Sequence, residues 1–238
     1  MALAGWSPSQ QSGNSYAGGL PPGVFEDSEH YWMEQLAAKT HAAWLRQGTG
    51  IPDTILNTGS IMGQCYRSNA LNVTHHIAQH TNAGGGTGTE IYYWTGSAEG
   101  KRLATCLYEF IAPASDTPDR GVKASQYYGE LKYTEAIAVI IEYQFHDGPA
   151  TAEEIRRSLD EYAEATVKGM CKFYGKAYRP PVVADPVWQA CEHMRESEIA
   201  SAKASAASRG NAIRFYKTAV SLPAAAPGSW QSWPPTQA

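Results

Sequence analysis

Three stretches repeat apolar residues at helical spacing. In residues 28–47, Met33, Leu36, Ala37, Thr40 and Trp44 share one face, which predicts a helix opened by Ser28 and stopped by Gly48. Residues 97–112 carry Leu103, Cys106, Leu107, Phe110 and Ile111 at i, i+3, i+4 spacing. In residues 151–174 the stripe is Ile155, Leu159, Tyr162, Ala163, Thr166, Met170 and Phe173. Thr151 and Glu154 there form a capping box, and Gly175 is the stop. Between these helices lie two other patterns. Residues 137–142, IAVIIE, are a continuous apolar run of the kind that forms a strand buried on both faces. Residues 73–80 half-alternate, with Thr74, His76, Ala78 and His80 on one side and His75, Ile77 and Gln79 on the other. An H-T-N turn, a glycine-rich loop and a second strand-like run to Trp94 follow. Residues 50–63 read as a weakly patterned connection with a strand near 54–57, and residues 7–19 as loop throughout.

Strands alternating with amphipathic helices predict an α/β domain: a central, mixed but mostly parallel sheet flanked by helices. After Arg179-Pro180-Pro181 the composition changes. Asp185-Pro186 is a helix start, residues 187–217 are rich in Ala and Ser, and the Pro/Ala-rich end has the composition of a disordered tail. The expected division is a catalytic domain over 1–178 and a helical extension over 179–238.

Composition narrows the function classes. With 19 basic and 23 acidic residues the formal net charge is −4, and no basic stripe of the kind nucleic-acid binders carry is present. The four cysteines, Cys65, Cys106, Cys171 and Cys191, contain no C-x-x-C pair, so buried free thiols are expected. No apolar run reaches the ~20 residues of a membrane span, and the first residues lack the basic start and apolar run of a signal peptide.

Candidate chemistry gathers at the strand ends. His80 ends a strand with Asn82 two residues on, an arrangement that offers an imidazole nitrogen to a metal. His76 lies four strand residues earlier, about 13 Å at ~3.3 Å each, too far to share one metal ion, so it is expected to be buried and hydrogen-bonded. Glu142 closes the apolar run at the carboxyl edge of the sheet, where a buried carboxylate is costly and where α/β sheets bind ligands. Glu29 sits in the first turn of a helix, beside the dipole.

The order of these motifs is more specific than any one of them. H-T-N-A, a glycine spacer and G-T-E-I-Y-Y, then D-R-G-V-K, then Glu142-Tyr143-Gln144-Phe145, together resemble the type-3 zinc-dependent N-acetylmuramoyl-L-alanine amidases. Where that family usually carries D-P-G-H-G, this chain has Ser7, Pro8, Ser9, Gln11, Asn14 and Tyr16. That spacing is similar to a subgroup, seen mostly in phage lysins, with S-P-S-x-Q-x-x-N-x-Y, and His146-Asp147 matches the same subgroup. The resemblance covers about residues 7–175. It implies zinc (Zn2+) held by Glu29, His80 and a third group, with Glu142 as catalytic acid/base and Asn82 and Arg120 toward the substrate. The third ligand is open between Gln11, its register neighbour Gln10, and His146. The implied partner is peptidoglycan, cleaved between N-acetylmuramic acid and L-alanine, with neither nucleic acid nor membrane as partner. The implied life history is an endolysin held in host cytoplasm until lysis. The alternatives are a zinc peptidase cutting within the stem peptide and a wall binder without catalysis.

Overall fold

The computed structural model describes residues 2–181 except 116 and 118. The expected helix after Asp185, the tail and Cys191 lie outside the described residues. Contacts group residues Met1–Pro181 into one compact unit.

Six strands form one sheet: β1 (Ala4–Pro8), β2 (Asp53–Ile55), β3 (His75–Asn82), β4 (Glu90–Trp94), β5 (Gly121–Ser125) and β6 (Ile137–Phe145). Their order is β2-β1-β3-β6-β4-β5. Strands β2, β1, β3 and β6 run parallel, β4 is antiparallel to β6, and β5 runs parallel to β4. The expected mixed, mostly parallel sheet is therefore present.

The helices are α1 (Glu29–Gln47), α2 (Ile61–Ala70), α3 (Ala98–Ile111), α4 (Gly129–Lys132), α5 (Pro149–Arg157) and α6 (Leu159–Phe173). The chemistry read at the ends of α1 operates as expected. The Ser28 hydroxyl accepts from Tyr31 N at 3.2 Å, and Gly48 takes φ 58° to end the helix. On one side of the sheet, α1 and α3 each pack on α6, and with Ile77, Ile91, Val139, Ile141 and Tyr143 of the sheet these helices form the main core. The other side is thinner: Ala78, Leu131, Ala138 and Ile140 make a small cluster beneath α2 and α4. The alternation read in 73–80 holds, because Ile77 and Gln79 face the main core while Ala78 and both His76 and His80 face the thin side.

Four expectations change. Residues 7 and 8, read as the start of a loop, instead end buried strand β1, Ala4–Pro8, between β2 and β3. The connection read over 50–63 runs into helix α2 at Ile61–Ala70, whose small and polar sequence IMGQCYRSNA hides the periodicity. The H-T-N segment is no turn: β3 runs on to Asn82 through an irregularity between His80 and Asn82. The long helix over 151–174 is two helices broken at Ser158 (φ −105°, ψ 16°). Its capping box is not formed. Thr151 Oγ1 donates to Gly148 O, and Glu154 instead accepts from Ser115, Gln144 and Tyr162.

The main core depends on the closeness of α3 and α6. A Cβ on Gly169 of α6 would stand 2.6 Å from Leu107 Cα and 2.9 Å from Cys106 O, both backbone atoms that cannot swing aside. Gly169→Ala is therefore expected to destabilise although Ala is the better helix former. The net loss should be about 1–3 kcal/mol, a fall in thermal midpoint of roughly 2–4 °C per kcal/mol by calorimetry.

Candidate active site

Register brings three buried side chains side by side on the thin face. His80 of β3 pairs with Glu142 of β6, and Glu142 pairs with Glu90 of β4. All three lie at the carboxyl end of β3 and β6, the edge at which parallel sheets bind ligands. Onto this row the chain folds the end of β1 with the loop that runs on to Tyr16, the first turn of α1, and α4.

The His80 ring is 5% exposed and engaged at both nitrogens. Its Nδ1 stands 3.1 Å from Glu29 Oε1 and 3.4 Å from Gln11 Nε2, and its Nε2 stands 2.7 Å from Glu130 Oε2. Asn14 organises the loop side, donating from Nδ2 to Glu29 Oε2 at 2.7 Å and to Gln11 Oε1 at 3.1 Å. Thr81 N also donates to Glu29 Oε1 at 3.2 Å. Burial alone would strip charge from these groups, but ion pairing outweighs it. Burial acts to lower His80, yet the Glu130 and Glu29 carboxylates raise it well above the ordinary imidazole range. Burial likewise acts to raise Glu29 and Glu130, and hydrogen bonds and the charge of His80 hold both below the ordinary carboxylate range.

Glu142 is the exception. Its Oε2 is buried without a hydrogen-bond partner among the described residues. Burial, only partly opposed by His80 and reinforced by Glu29, Glu90 and Glu130, pushes its carboxyl up to about 8. A carboxyl poised near neutrality at a sheet edge has the property an acid/base group needs.

The candidates Asn82 and Arg120 lie on the β4 side of the row. Asn82 Nδ2 donates to Glu90 Oε1 at 2.7 Å, and Arg120 Nε donates to Glu90 Oε2 at 2.8 Å while its guanidinium lies 5.0 Å from the Phe145 ring centroid. Lys123 and the Tyr92 hydroxyl also bind Glu90. Two cations on one buried carboxylate leave this rim net positive.

Gln10 and His146 point elsewhere. Gln10 Nε2 donates to Pro8 O at 3.0 Å, and the His146 ring stacks on Tyr16 at 5.4 Å with its Nδ1 3.1 Å from Thr81 Oγ1. His76 is buried and hydrogen-bonded as expected, through Ser68 Oγ and Glu130 Oε1, both at 3.1 Å. Among the described residues no group of three His, Cys, Asp or Glu converges to hold a metal ion. A three-donor set exists only if the Gln11 amide joins Glu29 and His80.

Sequence reading missed Glu130, Asn14 as an organiser, and Glu90. Glu130 carries no local signal: it becomes the shared partner of His76 and His80 only in the folded chain.

No family model matches the sequence. The N-acetylmuramoyl-L-alanine amidase CwlM of Bacillus licheniformis is 27% identical over 122 residues, 51% of this chain and 47% of that protein, so the chain spans about half the length of this curated relative. The catalytic domain of CwlV, an N-acetylmuramoyl-L-alanine amidase from Bacillus (Paenibacillus) polymyxa var. colistinus, superposes with a TM-score of 0.64 at 16% identity, covering 74% of this chain and 100% of that domain. The catalytic domain of the CD27L endolysin targeting Clostridia difficile gives 0.56 at 19% identity, covering 75% of this chain and 99% of that domain. The chain thus has the fold of the N-acetylmuramoyl-L-alanine amidase catalytic domains.

Proposed function

We propose that this protein is a zinc-dependent N-acetylmuramoyl-L-alanine amidase that hydrolyses the amide joining the lactyl group of N-acetylmuramic acid to L-alanine of the stem peptide. The observation that carries the reading is the buried, unpartnered Glu142 carboxyl beside the His80–Glu29 pair on an amidase-type sheet. The S-P-S-x-Q loop supports a lysin-like member.

The donor set fits zinc with one unusual member. A carboxylate oxygen and an imidazole nitrogen 3.1 Å apart have the separation of two ligands on one small cation, and the Gln11 amide lies beside them. Glu29 and His80 are the protein's anionic and imidazole ligands, and Gln11 supplies a neutral third. Asn14 must release its bond to Gln11 Oε1, or turn with it, for that oxygen to face the metal. Bound zinc supplies Lewis acidity for the amide carbonyl and for water.

The remaining chemistry belongs to the chain's own residues. Glu142, in its ionised form, takes the proton of the attacking water and returns it to the departing alanine nitrogen. Its burial keeps bulk water from competing for that proton. Asn82 and Arg120, anchored on Glu90, line the positive rim and orient the peptide or a carboxylate of the stem.

Glu142→Gln should retain fold and zinc and lose about 10²- to 10⁴-fold in rate. The readout is mass spectrometry of digested wall, in which amidase action frees the amine of L-alanine. Near-normal release by the variant removes Glu142 from the mechanism, and release of any other amine removes the amidase reading.

The same variant tests burial. In the unfolded chain the Glu142 carboxyl ionises near its ordinary 4.5, whereas in the folded metal-free protein it keeps its proton to about 8. The folded state therefore binds more protons across that window, and stability falls as pH rises through it. In metal-free protein, Glu142→Gln should match the parent's thermal midpoint near pH 4 and exceed it by several degrees near pH 8. Equal midpoints at both pH values would mean that the carboxyl is not held neutral.

Gln11 gives a third test. Gln11→Ala should weaken zinc at least tenfold in competition with a chromophoric chelator, Gln11→His should keep or strengthen it, and His146→Ala should leave it unchanged. Zinc affinity that follows His146 and ignores Gln11 would transfer the third position to His146.

A further inference from the structure

The thin face contains a buried carboxylate that the proposed mechanism does not use. Glu130 lies in the short helix α4, is 2% exposed, and is satisfied on both oxygens. Oε1 accepts from Ser7 Oγ at 2.6 Å and faces His76 Nε2 at 3.1 Å, while Oε2 faces His80 Nε2 at 2.7 Å. His76 is in turn fixed by Ser68 Oγ at 3.1 Å on Nδ1. The result is an unbroken line from Ser68 through His76, Glu130 and His80 to Glu29, contributed by α2, β3, α4 and α1. Two histidines four residues apart on β3 thus meet one carboxylate, each on its own oxygen.

An imidazole offers a metal only a nitrogen that carries no proton, so its other nitrogen must hold the hydrogen. A carboxylate is the strongest acceptor the chain has for that hydrogen, and a fixed one also stops ring rotation. Glu130 is fixed from behind by Ser7 of β1 and by His76. Its place is unlike that of Glu142, whose Oε2 has no partner among the described residues. It also differs from that of Glu29, which shares the Nδ1 side of the ring with Gln11.

We propose that Glu130 is a positioning residue: buttressed by Ser7 and His76, it keeps the His80 hydrogen on Nε2 and so aims the Nδ1 lone pair at the point between Glu29 and Gln11. This rests on the zinc reading for its purpose, though the position of the hydrogen does not.

The test uses the full chain labelled with 15N at histidine, parent and Glu130→Gln, with Ser7→Ala as a milder variant. In the parent, at a pH high enough to make His80 neutral, the one remaining ring proton should sit on Nε2 and far downfield, and it should move upfield in Glu130→Gln. Zinc affinity, by competition with a chromophoric chelator, should fall about 10- to 100-fold in Glu130→Gln. It should fall less, in the same direction, in Ser7→Ala, which keeps the proposal testable if Glu130→Gln does not fold. A neutral His80 protonated at Nδ1 overturns the proposal. So does unchanged zinc affinity in a folded variant with only a lowered thermal midpoint, which is the mark of a structural carboxylate. If the parent binds no zinc, the zinc reading fails and the ring-proton result alone decides the role of Glu130.

Discussion

The contact on which the thin face depends is the imidazole of His80 held between two buried carboxylates. Removing Glu29 and Glu130 from water is costly, and that cost is offset only while a positive charge lies between them. In the protein alone that charge is the second proton of His80, which both neighbours stabilise. The row then carries one cation and two anions, and a third carboxylate beside them is left to hold its proton, as Glu142 does. A dication in place of the His80 Nδ1 proton would raise the charge of the row by one. That increment favours ionised Glu142, the form a general base needs. Coulomb energies at such spacing amount to several kcal/mol even at an effective dielectric near ~20, enough to move a carboxyl by more than one pH unit. On the proposed zinc reading, metal occupancy and ionisation of Glu142 would therefore be coupled through charge alone.

Topology makes this arrangement inexpensive to build. Parallel pairing of β3 and β6 brings their carboxyl ends together, and antiparallel β4 brings its first residue to the same place, so His80, Glu142 and Glu90 line up by register alone. The main core, with α1, α3 and α6 over five large strand side chains, supplies rigidity from the opposite face. The thin face contributes little apolar packing and is free to hold charge. Its few apolar residues, Ala78, Ala138, Ile140 and Leu131, lie toward the amino-terminal half of β6, away from the charged row.

What could be read in the sequence followed the strength of local signals. Helices α1 and α3 have full apolar stripes with Ser N-caps, and both were legible to within a residue. The β6 run and the two faces of β3 were legible for the same reason. Strand β1 was not, because AGWSP offers one large apolar residue and its burial comes from neighbours on both sides. Helix α2 was not, because its burial falls on Gln64, Cys65 and Ser68. In the site, Glu29, His80, Glu142 and Gln11 were named from motif order; the fold sets Glu29 and Gln11 against the His80 ring and Glu142 beside His80 in strand register. Glu130 was silent because its meaning is wholly tertiary: a four-residue helix between loops becomes significant only when β3 presents two histidines to it.

Segment 7–16, the end of β1 and the loop after it, shows how an altered motif keeps a local geometry. In place of an imidazole, Gln11 and Asn14 form a neutral pair that reaches His80 and Glu29 together. Other residues of the segment are used behind the site: Ser7 buttresses Glu130, Ser9 Oγ accepts from Gln11 N, and Tyr16 packs on His146 and bonds Thr81. Ser7, Gln11, Asn14 and Tyr16 of the spacing S-P-S-x-Q-x-x-N-x-Y thus reach four different partners: Glu130, His80, Glu29 and Thr81. A neutral amide binds zinc more weakly than imidazole does, so such a site gains from holding its remaining imidazole in one orientation. The buried pair of bonds from Glu130 and His76, absent from the loop itself, supplies that constraint. On the proposed zinc reading, the loop and α4 would act together, the first offering the weak ligand and the second fixing the ring of His80 through Glu130.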